Sequence, residues 1–194
     1  ENVERIGIVG TGIQARYQLR ALTAVTDCRD VVVYGRSEDK LEAYKSEMEA
    51  EGFTVQTTHA LSDVPALCNL IVTTTPSMQP LLQADDIRPG THITAMGSDS
   101  DGKQELAAEI LGKAALVGAD SLSQCTAHGE VHHALKAGLL DPEQLSDLGD
   151  IIEDGFERKP EDLTVPVLTG IATQEIKIVS LVLPAQTKKQ RWGE

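Results

Sequence analysis

The sequence predicts an α/β fold, with one doubly wound, mainly parallel sheet and helices on both of its faces. Three observations predict it. Short apolar runs alternate with helical patterns along the 194 residues, which is the signature of successive βαβ units. The first apolar run passes directly into a glycine turn, Gly10-Thr11-Gly12-Ile13-Gln14-Ala15, and then into a helical pattern. Apolar residues make up 41% and charged residues 24% of the chain, an ordinary globular balance with enough material for one sizeable core. A G-x-G-x-x-A turn between a strand and a helix is the dinucleotide-binding fingerprint, so the expected fold is of the Rossmann type.

The elements follow in order. Arg5 to Val9 reads as the first strand and Gln14 to Val25 as the first helix. Val31–Tyr34 is the second strand, with a helix through Lys40–Ala50 behind it. A short strand at Thr54–Gln56 precedes a small helix near Leu61–Leu67, and Asn69–Thr74 is a buried strand. The Arg88-Pro89-Gly90 turn introduces a strand at Thr91–Ala95, followed by a glycine-containing loop from Met96 to Lys103. Gln104–Leu111 reads as a helix, Ala115–Ala119 as a strand, and Ser121–Glu130 as a helix. Asp141 and Pro142 supply an N-cap and a first-turn proline for a further helix. Leu163–Leu168 is the last strand, and Pro166, which has no N–H for a ladder, points to a sheet edge. A final helix is expected from Gly170 to about Leu183. The domain would then span 1–186, with 187–194 a loose tail.

Ligands of doubly wound sheets sit beyond the carboxyl ends of the strands. That rule gathers the loops at Gly10–Ala15, Gly35–Ser37, Thr73–Ser77, Met96–Asp99 and Asp120–Ser121 along one edge. Gly10 lets the chain turn off the strand, Gly12 lets backbone approach a pyrophosphate, and Ala15 permits close helix–strand packing. Ile13 and Gln14 complete the turn, with Thr11 between the glycines. An acidic residue that grips the adenosine ribose is expected at the tip of the second strand. Arg36 and Ser37 stand there instead, with Lys40 one turn on, a set suited to a 2′-phosphate. NADP is therefore favoured over NAD, although Ser37 also suits a helix cap and Arg36 a solvated surface. Thr73, Thr74, Thr75 and Pro76, with Met96 and Gly97, would line the ribose and nicotinamide.

A net charge of −13 argues against nucleic acid or an anionic membrane as partner. No run approaches the ~18 uninterrupted apolar residues of a membrane span. Three cysteines without metal-type spacing read as reduced thiols in a cytoplasmic protein. His128 and His132 would share a helix face at i, i+4, yet no further ligand stands at suitable spacing, and no metal is expected. His92, in a strand that should be buried, reads as a structural histidine, and Cys125 as a packed thiol.

Several segments together resemble the ornithine cyclodeaminase/μ-crystallin family. They are Gly10–Leu19, Val72–Pro76, Ile93–Ser100, Asp120–Cys125 with Gly129–Ala134, and Leu168–Gly170 with Gln174. The resemblance runs over nearly the whole chain. It implies an NAD(P)-dependent enzyme that deaminates a small α-amino acid through an imine and works as a homodimer at full length. It also implies that a substrate and dimerisation domain is absent from this chain, which would be inactive alone. Asp99 matches the aspartate of the family's A-x-G-[small]-D motif, the acid/base group that faces the substrate amine. Asp101 stands where the family commonly has proline, and Glu175 is a mild departure beside the closing glutamine. Two rivals stay open: an NADPH-dependent imine reductase of the same family, and a dinucleotide- or ligand-binding protein of μ-crystallin type without turnover.

Overall fold

A computed structural model describes residues 3–170. The expected helix after Gly170, the tail, and Gln174 and Glu175 lie outside the described residues. Eight strands form one sheet in the order β3-β2-β1-β4-β6-β10-β8-β9. They are β1 (Ile6–Val9), β2 (Asp30–Tyr34), β3 (Thr54–Thr58), β4 (Leu70–Thr73), β6 (His92–Ala95), β8 (Leu116–Ala119), β9 (Leu145–Asp147) and β10 (Thr164–Val167). Every pairing in this sheet is parallel.

A parallel sheet is covered on both faces, so its strands read as near-continuous apolar runs. The alternation within β1 and β2 shows how both faces are filled. Ile6, Ile8, Val31 and Val33 pack with Ala15 and Leu19 of α1 (Ile13–Leu22) and Leu41, Tyr44 and Met48 of α2 (Glu38–Ala50). Val9, Val32 and Ile71 face the opposite core, with Val64 of α3 (Asp63–Leu67), Ile110 and Leu111 of α4 (Ala108–Lys113) and Val131 of α6 (Gly129–Lys136). Each fully buried aliphatic side chain of this kind contributes roughly 1.5–3 kcal/mol. Chain order reverses between β1 and β4, which opens a crevice at the carboxyl edge of the sheet.

Four expectations are corrected. Pro166 is interior: β10 lies between β6 and β8, and the edges are β3 and β9. Thr164 N–H donates to Thr91 O and Leu168 N–H to Ala95 O, so the donor that proline lacks falls on the β6 side and costs a single ladder bond. Gln104–Leu106 is strand β7, paired with β5 (Met78–Leu82) in a separate two-stranded ribbon, and the helix begins only at Ala108. These are helix-forming residue types, but the Glu105 and Leu106 N–H groups are captured by the Glu130 carboxylate, which overrides local propensity.

The helix expected over Ser121–Glu130 is broken at His128, which separates α5 (Leu122–Ala127) from α6. His128 is extended and Gly129 has φ +78°, so His128 and His132 do not share one helix face. After Asp141 the chain makes one 3-10 turn at Pro142–Gln144, capped by the Asp141 side chain, before entering β9 and α7 (Leu148–Asp154).

Candidate dinucleotide-binding site

A cleft of about 640 Å³ opens at the carboxyl edge, where chain order reverses. Gly10, Thr11 and Gly12 form its floor, Tyr34, Gly35, Arg36, Ser37 and Lys40 one side, and Thr74, Thr75 and Pro76 the other. Gly10 sits at φ +114°, where a β-carbon would meet Thr74 Oγ1. Gly12 is at the N-cap of α1, exposed, with nothing within 4 Å of where its β-carbon would be. That open space beside a helix N-terminus fits a pyrophosphate, which backbone N–H groups and the helix dipole stabilise.

Arg16 braces this turn from behind. Its Nη1 donates to Thr11 O at 2.5 Å and Gly12 O at 3.0 Å, while Nε pairs with Glu47 at 2.6 Å. The guanidinium is thereby held 5.0 Å over the Tyr44 ring. On the side of the cleft formed by Tyr34–Lys40, Ser37 occupies the N-cap position of α2 but makes no side-chain capping bond. Arg36 and Lys40 are exposed. Glu38, two residues after Arg36, is bound to His59 Nε2 at 2.7 Å, and His59 Nδ1 contacts Gly35 O. That pairing raises the His59 pKa.

Other expected site residues lie outside the cleft lining. Ile13 is 71% exposed, Gln14 is exposed, and Ala15 is buried with its carbonyl accepting from Tyr44 Oη. Thr73 is buried in β4, and its hydroxyl faces Glu105 off the hydrogen-bonding geometry. Met96 N–H donates to Thr73 O, and Gly97 stands behind Thr75. A side chain at Gly97 would collide with the Thr75 carbonyl and the Glu105 carboxylate.

Asp99 follows β6 and is half exposed, paired with Lys103 Nζ at 2.6 Å. The Lys103 ammonium holds its carboxyl below the usual range, so it is a carboxylate at neutral pH. No helix starts near Gln104, so Asp99 is not a helix cap. Asp120 instead ties strand ends together, accepting from Thr169 N, Thr169 Oγ1 and Gly170 N. His92 contacts Thr164 Oγ1 at 2.8 Å, and burial pushes its pKa down to about 4, as suits a structural histidine. Cys125 is buried and its Sγ contacts Asp120 Oδ1, with burial raising the thiol.

The residues that sequence reasoning missed are Arg16, Lys103, Glu105 and, as a structural carboxyl, Glu130. Lys103 carried a readable signal, standing four residues after Asp99. The two glutamates carried none, because the loops they join are distant along the chain.

The model of the ornithine cyclodeaminase/mu-crystallin family matches residues 1–190. This chain belongs to that family. It is 36% identical over 186 residues to an alanine dehydrogenase of Archaeoglobus fulgidus, covering 94% of this chain and 56% of that protein. Its fold matches a solved archaeal alanine dehydrogenase dimer with bound NAD at a TM-score of 0.88 and 32% identity, over 97% of this chain and 59% of that one. The iminosuccinate reductase of Paracoccus denitrificans in complex with NAD+ matches at 0.83 and 27% identity, over 98% and 59%. The chain therefore spans a little over half the length of these relatives.

Proposed function

We propose that this chain is the dinucleotide-binding part of an enzyme that moves a hydride between a small α-amino acid, or its imine, and a nicotinamide cofactor. The observation that carries this reading is the cleft at the β1/β4 switch, floored by Gly10–Gly12 at the N-terminus of α1. A bound nicotinamide would accept a hydride from the substrate α-carbon or return one to an imine carbon. Gly10, Thr11 and Gly12 hold the pyrophosphate, Arg36, Ser37 and Lys40 the adenosine end, and Thr74, Thr75 and Pro76 the nicotinamide side.

Asp99 is the group that takes or gives a proton at the substrate nitrogen or at an attacking amine or water. Ionised through its pair with Lys103, it starts as a base. In a cyclodeaminase a second substrate amine attacks the imine, ammonia leaves, and the hydride returns. The second reading is net reduction of an imine with consumption of the cofactor, favoured by relatives that are an alanine dehydrogenase and an iminosuccinate reductase. Substrate recognition and dimerisation belong, on this reading, to a part of the relatives that this chain does not span. The isolated chain then binds cofactor without turnover. Its three unpaired thiols suit a reducing, cytoplasmic setting.

Arg36, Ser37 and Lys40 favour NADP(H), whereas the two solved relatives hold NAD. Calorimetric titration of the chain with NADPH and NADH, repeated with Arg36→Ala, tests both the cleft and this choice. Tighter NADPH binding that Arg36→Ala removes supports the phosphate reading. Equal or tighter NADH binding replaces it with NAD. No binding of either defeats the proposal. Nicotinamide absorbance with this chain is expected to stay flat when an amino acid or a cyclic imine is added.

A further inference from the structure

Two buried carboxyl groups lie behind the cleft wall, and neither touches the cleft. Glu105 in β7 and Glu130 in α6 are 0% and 1% exposed. Burying a carboxylate is costly unless donors fill its lone pairs, and here donors converge on both. Glu105 Oε1 accepts from Thr75 N at 2.6 Å and Thr75 Oγ1 at 2.7 Å, while Oε2 accepts from Gly97 N at 2.8 Å. Glu130 accepts from Ser98 Oγ, from Glu105 N at 2.6 Å and from Leu106 N at 3.1 Å. One glutamate thus joins the loop after β4 to the loop after β6, and the other seats the strand that carries it.

Well-packed apolar residues are often as stable as a buried charged network, so seating β7 explains Glu130 but the fold alone gives no reason for a carboxylate at Glu105. The donors supply one. The three donors to Glu105 and the Ser98 hydroxyl on Glu130 lie on the loops beyond β4 and β6, the half of a doubly wound sheet over which the second mononucleotide lies. The other two donors to Glu130 are N–H groups of β7. Thr75 lines the cleft, and Gly97 and Ser98 lead directly to Asp99. Neither glutamate bonds to Gly10–Gly12, Arg36, Ser37 or Lys40. We propose that Glu105, seated by Glu130, is a positioning residue that sets the nicotinamide side of the cleft and, through Gly97 and Ser98, the place of Asp99 beside it. The inference rests on the dinucleotide reading of the cleft.

The test separates the two ends of the ligand. The whole chain is titrated with whichever of NADH and NADPH it binds more tightly, and with the matching fragment that lacks nicotinamide, ADP-ribose or 2′-phospho-ADP-ribose. Glu105→Gln keeps the shape but turns an amide N–H toward Thr75 or Gly97, a donor facing a donor. Loss of a charge-assisted hydrogen bond on this scale weakens binding about tenfold. The expected result is that loss for the dinucleotide, with the fragment unchanged within about twofold. Ser98→Ala, which removes only the hydroxyl on Glu130, gives a smaller loss in the same direction. It serves as the readout if Glu105→Gln lacks a cooperative melt. Equal weakening of dinucleotide and fragment, or none of either, overturns the positioning role while the cofactor reading stands. Wild-type chain that binds neither ligand overturns the cofactor reading and this role with it.

Discussion

Glu130→Gln should change how the stability of this protein depends on pH, and the sign follows from the burial of that carboxyl. Burial, with Glu105 adding a like charge nearby, pushes Glu130 from 4.5 up to about 7. A carboxyl whose folded pKa is raised holds its proton in the folded state after the unfolded chain has released it. Its contribution is fully present below pH 4.5 and is lost as pH rises through 7. The shift corresponds to about 3 kcal/mol across that window. Glutamine does not titrate, so the stability of the variant relative to wild type should rise by about 3 kcal/mol between pH 4.5 and 7.5. The comparison must be a difference, because His92 contributes with the opposite sign. Its folded pKa is lowered from 6.5 to about 4, so its contribution is present above 6.5 and lost as pH falls through 4. The two slopes partly cancel in the wild-type curve. Urea denaturation of both proteins at four pH values, followed by far-UV circular dichroism, gives the difference directly. An offset between the curves that stays constant with pH refutes the reasoning, because Glu130 would then be ionised alike in both states.

Further outcomes follow from the same geometry. Gly12→Ala should melt within about 1 kcal/mol of wild type, since nothing lies within 4 Å of the added methyl, yet lose dinucleotide affinity in calorimetry. Gly97→Ala should cost about 2 kcal/mol or more in urea denaturation, because the methyl meets the Thr75 carbonyl and the Glu105 carboxylate. His92→Asn should remove the histidine's share of pH dependence, so that its stability relative to wild type falls as pH rises from 4 to 6.5. Lys103→Met should let the Asp99 pKa rise toward the ordinary carboxylate range, which a carboxyl-carbon NMR titration reads residue by residue.

The family, the Rossmann-type fold and the floor of the cleft were readable in the amino-acid order. A glycine turn between a strand and a helix is a local device, and so is each apolar run that can only be buried on both faces. Gly10, Gly12, Arg36, Ser37, Thr74 and Thr75 could be named because each stands one to three residues beyond a strand, and parallel strands bring such positions to one edge. What tertiary structure decided lies in contacts between distant residues. Gln104–Leu106 has the composition of a helix and is a strand because Glu130, about 25 residues away, takes its N–H groups. Pro166 looked like an edge residue and is interior because its missing donor costs one bond in a sheet that has many. The cleft wall at Thr75 depends on Glu105 reaching it across 30 residues. Local order sets what the backbone can do at each step, while long-range hydrogen bonding by buried charge selects which alternative is taken, and that energy exists only once the chain has closed on itself.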